Sequence, residues 1–179
     1  MRLVLALFLP IVAAAVTAAC SSNPNDLPTT ATCPGPYDPG PTFDFNNPAV
    51  SFRKDVQPIF KESCAFGTCH GGAFGASNNG IFLGRDTSTS DADLADDTKN
   101  FFANAVGVEA GQLGAMKFIS KGDPRNSYLM HKVDGDLCPF LAQCLGKDCG
   151  QSMPQGQEPI AQAKRDTIRR WIAQGANDN

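Results

Sequence analysis

The run Cys64-Ala65-Phe66-Gly67-Thr68-Cys69-His70-Gly71-Gly72 sets two thiols and an imidazole close together in a chain that has only two histidines. By residue type alone, the thiols have two uses. They can oxidise to a disulfide that closes a tight loop, or coordinate a soft metal such as zinc, and in an exported protein oxidation is the commoner fate. Covalent catalysis by a Cys–His pair is disfavoured, because Cys69 and His70 are sequence neighbours and only His131 is left to serve as base. Gly71-Gly72 and Gly75 lack the Lys and the strand–loop–helix setting of a phosphate-cradling loop. A formal net charge of −3 without a Lys/Arg tract excludes an electrostatic grip on nucleic acid.

The start of the chain reads as an address. Met1-Arg2 is a short positive region, Leu3 to Val16 is apolar, and Thr17, Ala18 and Ala19 are small. Residues 1–19 are therefore expected to be a signal peptide, too lightly flanked for a membrane span. Val16-Thr17-Ala18-Ala19-Cys20 resembles the lipobox of bacterial lipoproteins, with Thr17 where Leu is common. That resemblance implies lipidation at Cys20, and Ser21 after it implies the outer membrane, facing the periplasm. Removing Cys20 from the seven cysteines leaves an even set, as disulfide pairing in an oxidising compartment requires. Residues 20–50, rich in Ser, Thr, Pro and Asn, read as a disordered tether, and residues 51–179 as the folded domain.

Apolar residues are 42% of the chain and charged residues 18%, enough for one modest core. Phe52, Val56, Ile59 and Phe60 follow helical spacing with Ser51 as N-cap, and Pro58 should restart or kink that helix. Leu94, Thr98, Phe101, Phe102 and Ala105 share a face of a helix predicted over 91–106. Gly122-Asp123-Pro124 signals a turn into a short helix through Tyr128, Leu129 and Val133. Pro159 should open a last helix striped by Ile160, Ile168, Trp171 and Ile172 and stopped at Gly175. Between them lie a glycine-rich stretch from Gly67 to Gly84, anchored by Ile81-Phe82-Leu83, and a cysteine-rich loop from Cys138 to Gly156. The expected fold is mainly α, with long disulfide-stapled loops.

Cys64 and Cys69, followed at once by His70, resemble the haem-attachment site of c-type cytochromes. In that chemistry both thiols add to porphyrin vinyl groups as thioethers, and the adjacent imidazole lies under the iron. Four residues separate the pair here instead of the common two, with Phe66 where the first Cys would stand. The order of Asp55-Val56-Gln57-Pro58-Ile59-Phe60, the Cys pair, Gly122 to Leu129, Met153-Pro154 and Ile168 to Ala176 is similar to cytochrome c-like domains of planctomycete and myxobacterial secreted proteins. The resemblance implies a class I cytochrome c-like helical domain whose first and last helices pack together. It implies one haem c on Cys64 and Cys69, with His70 as proximal and Met153 as distal iron ligand.

A thioether is a soft ligand that favours Fe(II), and Pro154 should hold Met153 extended in a loop. His131 is the alternative distal ligand, while Met116, Met130 and Trp171 read as packing. With haem in place, Cys33, Cys138, Cys144 and Cys149 are left for two disulfides whose pairing stays open. The implied role is electron transfer with redox partner proteins, without enzymatic chemistry. The alternative is a haem-free, disulfide-stapled lipoprotein serving as a binding or structural module of the envelope.

Overall fold

Ser51 caps the first helical segment, its hydroxyl accepting from the Lys54 amide at 3.3 Å. The turn Phe52–Val56 is π-helical and runs directly into α1, Gln57–Ser63. Pro58 explains the switch. It has no N–H to return to Lys54, so the chain ahead of it widens to i→i−5 bonds such as Val56 to Ser51, and regular α geometry begins around the proline. The sequence signalled the break, and the structure resolves it as a change of helix type.

The computed structural model describes residues 33–74 and 80–179, and within it three further α-helices follow α1: α2 (Asp91–Ala105), α3 (Tyr128–Asp134) and α4 (Gln162–Ala173). Short 3-10 turns cover Pro124–Asn126, Cys138–Phe140 and Leu145–Lys147. Among the described residues no strand forms, and pairing is limited to isolated bridges that tie Lys117 and Ile119 to Ser127, Glu109 and Val106. The domain is mainly helical, and no described helix is long and apolar enough to cross a membrane. The signal segment 1–19 and Cys20 lie outside the described residues.

The core is built on aromatic contacts between the first and last segments. Phe52 stacks on Phe101 of α2 with centroids 4.8 Å apart and lies 5.3 Å from the Trp171 ring of α4. Phe102 meets Phe52 edge-on at 5.0 Å. Trp171, Ile168 and Ile172 are fully buried along α4, and the indole N–H is satisfied by the Asn177 carbonyl at 2.9 Å. α4 starts after Ala161, so Pro159 lies ahead of it and not in its first turn. On the other side of α4, Arg169 and Arg165 reach Asp134 of α3, forming a buried ion-pair group.

The described segment ahead of Ser51, read from composition as tether, packs against the helices. Cys33 is bonded to Cys138, and the segment behind it is a strap laid over α4. The Tyr37 ring sits 4.5 Å from the Arg169 guanidinium, Phe43 lies 4.2 Å from that of Arg170, and Asp38 pairs with Arg125 at 3.0 Å. Its Pro and Asn content looked like a linker, but its aromatics find the basic face of α4.

Because Phe52 joins three segments, Phe52→Ala should cost about 3–5 kcal/mol of stability, read as a lowered midpoint in urea unfolding of the disulfide-intact protein. A midpoint within error of the wild type would show that the aromatic cluster does not hold these helices together.

Candidate functional site

α1 delivers the chain to Cys64, and the following loop closes on itself. The Cys64 and Ala65 amides donate to the Phe60 carbonyl, Cys69 and Gly71 donate to Phe66, and His70 donates back to Cys64. Gly71 passes so near Ala65 that a Cβ on it would lie 1.7 Å from the Ala65 carbonyl oxygen. Only glycine permits that approach. The segment 81–86 clips onto the loop, Leu83 donating to the His70 carbonyl at 2.9 Å and Asp86 to that of Ala65 at 2.9 Å. α2 holds this segment in turn, through Asn104 to the Phe82 amide and through Asp97, whose carboxylate takes both the amide and the guanidinium of Arg85.

His70 is oriented by its second ring atom. Nδ1 lies 3.1 Å from the Ile81 carbonyl, so it must carry the proton, which leaves the Nε2 lone pair free on a neutral ring. Burial depresses the imidazole pKa below its ordinary value; the Ile81 bond opposes this and the charge of Lys132 adds to it. Burial and the Lys132 charge together favour the unprotonated ring at neutral pH.

Cys64, Cys69, His70 and Met153 all line one cavity of about 510 Å³, a size suited to a bound organic group. Much of its wall is apolar, with Leu83, Phe118, Leu129 and Val133 among the lining residues. Met153 stands in a loop, as Pro154 required, and its amide donates to the Lys132 carbonyl of α3 at 2.7 Å. The Cys144–Cys149 disulfide pins the same loop, and the Cys149 carbonyl accepts from Tyr128 and from Lys132. The four site residues proposed from sequence are thus brought together, whereas Cys20 lies outside the described residues.

His131 is not among them. It is buried on the opposite side of α3, with Nδ1 2.6 Å from Asp136 and Nε2 3.0 Å from the Arg125 carbonyl, so neither nitrogen is open to a metal. It lines a separate cavity of about 290 Å³ under the strap. Its place as an alternative distal ligand is therefore corrected, because α3 turns residues 128, 129, 132 and 133 to the larger cavity and residues 130, 131 and 134 away from it.

Cys33 pairs with Cys138 and Cys144 with Cys149, which leaves Cys64 and Cys69 as free thiols among the described residues. Cys64 and Cys69 have the same sequence separation as the bridged Cys144 and Cys149, so spacing does not decide between the two fates. Their surroundings differ: Cys64 ends α1 facing inward, 8% exposed, while Cys69 is exposed. Sequence reasoning missed Gln112, Tyr128 and Lys132 as cavity residues. The i, i+4 spacing of Tyr128 and Lys132 was a usable signal that they share a helix face. Among the described residues no group of three or more His, Cys, Asp or Glu gathers for a bare metal ion.

Burial and the neighbouring Cys69 push the Cys64 thiol up to about 12. At pH 8 only about one Cys64 in ten thousand is then ionised. In protein made without haem, iodoacetamide at pH 8 should label Cys69 in the native state and Cys64 only after unfolding, as read by peptide mass mapping. Equal native labelling of both would show that Cys64 is not held inward.

The chain matches no protein-family model, no curated protein and no solved structure.

Proposed function

We propose that this chain is an electron-transfer protein carrying one c-type haem in the 510 Å³ cavity. Cys64 and Cys69 are the thioether sites, His70 the proximal ligand and Met153 the distal ligand, within a class I cytochrome c-like domain. The observation that carries this reading is the sorting of cysteines. Four are joined in disulfides, while the remaining described pair stays unjoined in the wall of the cavity that also holds His70 and Met153. Contact between the first helical segment and α4, through Phe52 and Trp171, supports the fold the resemblance implies.

The group itself would supply an Fe(III)/Fe(II) couple. What the chain contributes is position and environment. The Ile81 carbonyl fixes the His70 tautomer, the stapled loop presents a soft thioether, and the apolar wall excludes water. No bond is made or broken by a protein side chain during turnover, so the role is carriage and not catalysis. Partners are other redox proteins, met through small transient contacts. The leader and Cys20 place the domain, by the same proposal, on a lipid anchor at the periplasmic face of the outer membrane.

The full chain, produced in a haem-maturing bacterial host, should yield a red protein whose haem survives a denaturing gel. Replacing both Cys64 and Cys69 by Ser should abolish that covalent stain. Met153→Ala should keep the haem but lose the Met–iron charge-transfer band, with a fall in reduction potential that is a fraction of the roughly 0.8 V that axial ligands span. A colourless wild-type product with a Cys64–Cys69 bridge in its peptide map overturns the reading in favour of a haem-free stapled lipoprotein. A persistent charge-transfer band in Met153→Ala overturns the distal assignment alone.

A further inference from the structure

The largely apolar cavity wall carries one buried ammonium. Lys132 lines it yet is only 7% exposed, and among the described residues it forms no ion pair. Its ammonium has three N–H donors. One goes to the Cys149 carbonyl at 3.1 Å, and the group lies 5.6 Å from the centre of the Tyr128 ring. The Asp148 carboxylate acts on it through space but does not reach ion-pair distance, and a buried cation so weakly compensated is costly, a cost that falls when an anion arrives with matching hydrogen bonds.

Gln112 stands beside it. A Cβ on Gly150 would lie 3.0 Å from Lys132 Nζ, 2.8 Å from Gln112 Oε1 and 3.0 Å from Gln112 Nε2, so amide and ammonium pack against the same face of Gly150. The one proton of the Tyr128 hydroxyl goes to the Cys149 carbonyl, so across their 3.0 Å contact the Gln112 amide donates to the Tyr128 oxygen, which orients the amide and leaves one further N–H as a donor. An ammonium and an amide N–H close together in a largely apolar wall suit a carboxylate carried by an apolar ligand.

We propose that Lys132 and Gln112 receive a carboxylate of the cavity's ligand, and this rests on the haem reading, in which that carboxylate is a porphyrin propionate. Lys132 then acts on the iron as well as on the carboxylate. Its charge neutralises the propionate, and the Fe(III) state is less favoured than it would be beside a bare anion.

The test uses the full chain matured with haem, as wild type and as Lys132→Met, Lys132→Arg and Gln112→Leu. Covalent haem content is scored on denaturing gels, and the propionate band is read in Fe(III)-minus-Fe(II) infrared difference spectra with carbon-13-labelled haem. Lys132→Met should retain covalent haem, displace the propionate band and move the Fe(III)/Fe(II) equilibrium about tenfold toward Fe(III), about 59 mV for one electron. Lys132→Arg should restore both readouts, which a packing role for the Lys stem would not predict. Gln112→Leu should displace the band in the same direction. If Lys132→Met does not accumulate, the Gln112→Leu band decides, and an unmoved band overturns the inference. Wild-type haem with an unmoved band in Lys132→Met overturns this inference alone, whereas wild-type protein without covalent haem overturns it together with the reading beneath it.

Discussion

The closest contact on which the site depends is between Gly71 and the carbonyl of Ala65, where there is no room for a β-carbon. This approach lets the chain after α1 fold back, so that His70 donates to the Cys64 carbonyl and two thiols and an imidazole share one short turn. A turn that tight has little apolar surface of its own to bury. Its stability must come from what grips it, and the grip is polar: segment 81–86 bonds to it through backbone amides, and α2 fixes that segment through Asp97 and Asn104. The buried carboxylate of Asp97 is therefore explained by a task at a distance, since a charge inside a helix face is tolerated only when paired.

α3 carries the complementary burden. In seven residues it presents Tyr128, Leu129, Lys132 and Val133 to the cavity and turns Met130, His131 and Asp134 toward α4 and the strap. Nearly every side chain on it is buried, so the helix cannot rotate without exposing apolar area or stranding a charge. The Asp134 group with Arg165 and Arg169 fixes that rotation. Burial pushes the Asp134 carboxyl up, against the pull of the two guanidinium groups, so the pair adds more to registration than to net stability. Registration is what the loop needs, because the Met153 amide is tied to the backbone of Lys132 on this same helix.

Local signals were legible in sequence where a single residue type dictates geometry. Ser51 as a cap, Pro58 as a break, the helix expected over 91–106 and found over Asp91–Ala105, and the Trp171 stripe all follow from short-range rules. The strap was misread because composition averages over a stretch, while Cys33, Tyr37 and Phe43 act individually against α4. His131 was misread for a related reason. Its partners, Asp136 and the Arg125 carbonyl, are near in sequence but are brought to the ring by a helix end and a 3-10 turn, which no periodicity reveals. Lys132 was passed over because a lysine on a short helix ordinarily points to solvent.

The two five-residue cysteine pairs carry the argument furthest. Cys144 and Cys149 bridge across a 3-10 turn, with Cα atoms 5.2 Å apart, inside the range a disulfide accepts. Cys64 and Cys69 have the same spacing but begin at a helix end, where the first side chain follows the buried face of α1 and the second emerges on the turn. Helix termination thus gives the two thiols of this pair different surroundings where their spacing matches that of the bridged pair. With the other four described cysteines bridged, these two remain free thiols. The same cavity wall holds the His70 imidazole and the Met153 thioether. Each of these features is weak alone, but they converge on one volume because α1, segment 81–86, α3 and the stapled loop all end there.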